Sequence, residues 1–68
     1  MKTIEELKRA WVNNLILVWD DPDPIKGNDY TISYIEDLSD LEEDSPILIQ
    51  YNNGGSEAQV FLHEILIK

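Results

Sequence analysis

The run Asn52-Asn53-Gly54-Gly55, between Ile47-Leu48-Ile49-Gln50-Tyr51 and Ser56-Glu57-Ala58-Gln59-Val60-Phe61, constrains this chain more than any other stretch. Asn-Gly supplies positive φ at both central positions of a tight turn, so the two flanking segments are expected to fold back on each other as a hairpin. Pro46 opens the first arm, and in the second Ala58 and Val60 alternate inward with Glu57 and Gln59 outward. A hairpin alone is marginal in water, so the other segments must supply further strands or a covering helix.

They do. Thr3 followed by Glu6 is a capping-box pattern, in which hydroxyl and carboxylate each satisfy an orphan backbone donor. Ile4, Leu7 and Trp11 recur at helical spacing beside Ala10, Glu5 and Glu6 lie in the first turn, and Lys8 and Arg9 lie near the end. A helix is expected over 4–12, stopped by Asn13-Asn14. Leu15-Ile16-Leu17-Val18-Trp19 lacks alternation and reads as a strand buried on both faces, one of them covered by the helix. Asp20-Asp21-Pro22-Asp23-Pro24 ends it, and Lys26-Gly27-Asn28-Asp29 is a second turn. Tyr30 to Ile35 is β-branched and aromatic; Tyr30, Ile32 and Tyr34 are expected on one face, with a bulge or bend near Tyr34 because Ile35 falls on the other. Residues 37–45 could form a weak acidic helical turn, but they crowd like charges and read as a mobile acidic loop. Leu62-His63-Glu64 reads as a corner or 3₁₀ turn, and Ile65-Leu66-Ile67 as a closing strand.

At 68 residues one domain is expected, residues 1–68, with the helix in 1–13 and the strands in 15–67. The hydrophobic gain and the ordering cost of so short a chain nearly cancel, and without cysteine neither a disulfide nor a thiolate metal site can help. Self-association would add core, which leaves a homo-oligomer open. The opening segment is charged and has no apolar run of signal-peptide or membrane-spanning length, so the sequence reading is cytoplasmic with no membrane partner.

Charge is localised. Residues 20–44 hold Asp20, Asp21, Asp23, Asp29, Glu36, Asp37, Asp40, Glu42, Glu43 and Asp44 against Lys26 alone, and so carry the whole net charge of −9. Such a surface repels phosphate backbones and attracts a basic partner, which argues against direct nucleic-acid binding. No cofactor is indicated. Asp20, Asp21, Asp23 and Asp29 fail the spacing of a calcium loop: counting from Asp21, the position needing Gly is Lys26 and the position needing Glu is Ile32. His63 is the sole imidazole, no motif activates Ser33, Ser39, Ser45 or Ser56, and Glu57 with Glu64 has little room for a pocket. No catalytic or metal-binding residue is assigned; an enzyme is not expected.

Five short strands in so small a chain favour a closed or nearly closed barrel, since an open sheet leaves exposed edges. The segments Asp29-Tyr30-Thr31-Ile32-Ser33-Tyr34-Ile35, Ile47 to Gly54 and Ser56 to Ile65 resemble the SH3-like barrels, the Tudor-like branch in particular. The resemblance implies a mainly β fold, a five-stranded SH3-like barrel over about 15–67. The N-terminal helix is not part of that basic barrel, and its simplest role is a lid over one open end that inserts Trp11. The chain also looks like small uncharacterised bacterial proteins, a likeness that implies no activity. SH3-like domains commonly bind peptides, so the resemblance implies a groove beside the first long loop. Asp20, Asp21, Asp23 and Asp29 would supply its acids, and Trp19, Tyr30 and Tyr34 its aromatics. The paired-Trp signature of signalling SH3 domains is missing where the third strand begins, which speaks against polyproline. A Tudor-like cage for methylated Lys or Arg would use Trp19, Tyr34 and Tyr51, with Asn53 as polar wall; the plainer alternative is that these aromatics pack the core. The expectation is a non-enzymatic interaction module whose acidic loops, 20–29 and 36–44, face a basic peptide or protein. An acidic nucleic-acid mimic that inhibits a DNA- or RNA-binding protein is the alternative.

Overall fold

In the computed structural model, which describes residues 3–68, helix α1 spans Ile4–Val12. Thr3 Oγ1 accepts from Glu6 N at 3.2 Å, the first half of the expected capping box. The capping carboxylate comes from elsewhere: Ile4 N donates to Glu43 Oε1 and Oε2 at 3.2 and 3.4 Å. At the other end Asn14 takes φ 58°, Leu15 N donates to Ala10 O and Asn14 N to Trp11 O. This is the Schellman closure that asparagine tolerates, because its short side chain fits the left-handed region.

The strands are β1 (Leu17–Trp19), β2 (Tyr34–Ile35), β3 (Ile47–Tyr51), β4 (Ser56–Val60) and β5 (Ile65–Ile67). All pairings are antiparallel and form two sheets, β1-β5 and β2-β3-β4. Among the described residues the fold is therefore mainly β with one α-helix. Among the described residues no ladder joins β4 to β5, so a closed cylinder is not formed. A 3₁₀ turn at Leu62–Glu64 makes the corner between them, with Phe61 N donating to Glu64 Oε1 at 2.9 Å.

Residues 30–36 link the sheets. Trp19 N donates to Tyr30 O and Ile32 N to Leu17 O, with Thr31 bridged to Val18. One residue later Ser33 N donates to Gln50 O, and Glu36 N to Leu48 O. The segment thus leaves β1 and joins β3. The expected bend is present: the buried positions are Ile32 and Ile35, three apart rather than two. The shared face expected for Tyr30, Ile32 and Tyr34 is broken by it, and Tyr34 is turned outward, 48% exposed.

The core comprises Ile4, Leu7 and Ala10 of α1 with Leu17, Ile32, Ile35, Ile47, Ile49, Val60 and Ile65. What the helix inserts is Leu7, fully buried, rather than Trp11, which is half-buried at the core margin. β1 also differs from expectation. It starts at Leu17: Leu15 is exposed in the closure that ends α1, and Ile16 is exposed because α1 packs against the inner side of the sheets and leaves the outer face of β1 uncovered.

The acidic 36–45 segment is more structured than like-charge repulsion suggests. Asp37 adopts a left-handed φ of 52° and a 3₁₀ turn follows at Leu38–Asp40. Leu38 and Leu41, three residues apart, pack against the core. Their burial and the Glu43 contact with α1 hold the acids together; Lys8 Nζ also donates to Ser39 O at 3.4 Å. In the hairpin, Asn52 and Asn53 are the left-handed central pair (φ 55° and 57°), Gly54 N returns to Tyr51 O, and Gly54 continues at φ 84°. The turn is centred one residue earlier than Asn53-Gly54.

Candidate functional site

The alternation of β1 points Leu17 and Trp19 inward, and the pairing of Trp19 with Tyr30 sets the tyrosine on the same side. β3 brings Tyr51 to the same end. The result is a cluster of three half-buried rings. Trp19 meets Tyr30 edge-on at 5.8 Å and Tyr51 edge-on at 5.2 Å, while Tyr30 and Tyr51 stack at 5.3 Å with planes 12° apart. These are the offset and edge geometries that the ring quadrupole favours. The Trp19 Nε1 donor is buried and has no hydrogen-bond partner among the described residues.

The acidic loop 20–29 is tied down around this cluster. Tyr30 Oη accepts from Ile25 N at 2.7 Å, which anchors the loop to one of the rings and leaves the phenolic proton free to donate. Asp21 Oδ1 accepts from Asp23 N at 2.9 Å, a local Asx turn. Asn52 clamps the base: its N donates to Asp29 O at 2.7 Å, its Oδ1 accepts from Asp29 N at 3.2 Å, and its Nδ2 reaches Asn28 Oδ1 at 3.5 Å. Asp29 Oδ1 accepts from Thr31 N at 2.9 Å. Hydrogen bonds from the Thr31 backbone and hydroxyl hold the Asp29 carboxyl below the ordinary aspartate range, since they favour the charged form.

Of the residues singled out from sequence, the structure brings together Trp19, Tyr30 and Tyr51, with Asp20, Asp21, Asp23 and Asp29 on the adjoining loop. Tyr34 and Asn53 do not join them. Tyr34 lies beyond the bend and lines an open groove of about 540 Å³ with Lys8, Trp11, Val12, Asp37 and Leu38. Asn53 is exposed at the hairpin tip, where its role is the left-handed turn. The polar contacts belong instead to Asn52. Tyr30 takes the ring position that Tyr34 was expected to fill. Its signal was available, because Tyr30 shares the inward parity of buried Ile32 whereas Tyr34 sits past the break.

Chemically the arrangement joins an acidic loop to a cluster of aromatic rings through Tyr30, a combination that suits a cation. Among the described residues no three of His, Asp or Glu converge where a metal ion could sit. His63 is exposed and stacks on Phe61 at 6.1 Å. Among the described residues no helix is long and apolar enough to cross a membrane. No protein-family model, curated protein or solved structure matches this chain.

Proposed function

We propose that this chain is a non-enzymatic protein-interaction module that binds a basic peptide or protein. The partner's Lys or Arg side chains would lie against Trp19, Tyr30 and Tyr51 and pair with Asp20, Asp21, Asp23 and Asp29. The observation that carries the reading is the gathering of the three rings at the base of an acidic loop, which Tyr30 Oη and Asn52 hold in place. A site already ordered loses less entropy on binding. The second acidic segment, 36–44, is given a smaller part, because Glu43 is engaged by the helix and Leu38 and Leu41 by the core.

The SH3-like barrel belongs to the same proposal. The backbone bonds of 30–36 to both β1 and β3 support it, since they order the strands β5, β1, 30–36, β3, β4. The 3₁₀ turn between β4 and β5 supports it too. A cation over an aromatic face contributes about 0.5–2 kcal/mol, and an exposed ion pair about 0.2–1 kcal/mol. Affinity should therefore be modest and salt-sensitive.

The test is an NMR titration of labelled protein with Lys/Arg-rich and charge-neutral peptides at low and high salt. Expected are shifts at the Trp19 indole and at the Tyr30, Tyr51 and Asp20–Asp29 amides, with the basic peptide only and weakened by salt. Binding insensitive to salt, or shifts that avoid the three rings, would overturn the proposal.

A further inference from the structure

Two short segments, Leu15 to Trp19 and Ile65 to Ile67, are apolar without alternation, the pattern of strands covered on both faces. Their inner side chains, Leu17, Trp19, Ile65 and Ile67, pack into or against the core. Their outer ones are left bare: Ile16 is 58% exposed and Leu66 is 39% exposed. The register sets out this outer face in rows. Leu66, Val18 and Thr31 lie side by side in the centre. Lys68 N donates to Ile16 O at 2.8 Å, which places Lys68 beside Ile16 at one end. Asp20 N donates to Glu64 O at 2.7 Å, which places Asp20 beside Glu64 at the other. The face is thus basic at one end, apolar in the middle and acidic at the opposite end.

The geometry points to a second copy of this chain as the cover of that face, in a symmetric dimer. A two-fold axis lying along the Leu66–Val18–Thr31 row superposes the two apolar centres. It also sets Lys68 of each copy over the acidic end of the other. A symmetric interface must be self-complementary, and this charge order meets that condition although the chain as a whole carries −9. Only a few apolar side chains per copy are covered, each contributing at most about 1.5–3 kcal/mol, so the dimer is weak and forms at high concentration.

Sedimentation equilibrium of the full chain up to about millimolar concentration tests it. The wild type is expected to dimerise reversibly, and Ile16→Glu and Leu66→Glu to weaken association at least about tenfold, because each buries an unpaired charge. Both positions are exposed, and circular dichroism verifies folding of each variant. A charge-swap mixture gives a second reading: Lys68→Glu and Asp20→Lys should each weaken self-association, while the two mixed together associate as a heterodimer. A wild type that stays monomeric throughout, or a dimer indifferent to Ile16→Glu and Leu66→Glu, would overturn the inference. So would failure of the mixture to pair. Ile16→Glu and Leu66→Glu lie outside the basic-peptide site and separate the two readings: they should weaken dimerisation and leave the peptide titration unchanged. Asp20→Lys also alters that site and is read for self-association only.

Discussion

The ring of Tyr30 stacks on the ring of Tyr51, 5.3 Å between centroids, although Tyr30 is bonded to β1 and Tyr51 belongs to β3 in the other sheet. The stack spans the two sheets where 30–36 passes between them, and Trp19 makes a T-shaped contact with each of the two rings. One tyrosine also holds the acidic loop, through Ile25 N. Fold and candidate site therefore share side chains, and substitutions there should move both.

Tyr30→Phe keeps the stack and deletes the acceptor for Ile25 N. The expected cost is about 0.5–1.5 kcal/mol, the net contribution of one hydrogen bond. Urea unfolding gives the stability change, and the Ile25 amide should exchange faster with solvent. Unchanged protection at Ile25 would show that this bond does not order the loop.

Asn52 and Asn53 share a left-handed backbone but differ in partners. Alanine at either position meets the left-handed penalty of about 1–2 kcal/mol. Asn52→Ala additionally loses the side-chain bonds to Asp29 and Asn28, so it should be the more destabilising by roughly 0.5–1.5 kcal/mol. Chemical denaturation of the two variants compares them; equal costs would remove Asn52 from its clamping role.

Glu43 caps α1 from thirty-nine residues away. Glu43→Ala should cost about 0.5–2 kcal/mol, the range of a lost N-terminal cap. Its neighbour Glu42, whose side chain is exposed, should change stability by no more than about 0.5 kcal/mol when replaced by Ala. Thermal melts of both variants provide the comparison, and the Ile4 amide should lose protection only in the first.

Asp29 should titrate below the ordinary aspartate value, because Thr31 hydrogen-bonds its charged form. A carboxyl whose folded value is depressed favours the folded state above the unfolded-state value, and that contribution is lost as pH falls through the folded value. Carbon-detected NMR titration should give a midpoint under that of a model aspartate peptide. Thr31→Val removes the hydroxyl donor and should raise the midpoint part of the way back.

The helix, the hairpin and the corner at Leu62–Glu64 were legible because each is decided over a few neighbouring residues. Thr3 and Asn14 bound α1, and the left-handed tolerance of asparagine makes the turn at 52–55. A helical turn within 37–45 was suggested by the sequence but outweighed, since the charges that argue against it are local while the partial burial of Leu38 and Leu41 that favours it is not. Among candidate site residues, Trp19, Tyr30 and Tyr51 were legible as aromatics at strand ends. Tyr34 was misplaced by the bend.

Sequence alone therefore decided the local periodicities: which stretch coils, which stretches extend, where the chain reverses and where the negative charge accumulates. Tertiary structure decided that 30–36 passes from β1 to β3, that Trp19, Tyr30 and Tyr51 converge, that Glu43 rather than Glu6 supplies the capping carboxylate, and that one face of β1 stays bare. The physical reason is range. Dihedral preference and hydrophobic spacing act over one or two turns of chain, whereas these contacts join residues 11 to 39 apart and are set by how the whole core packs.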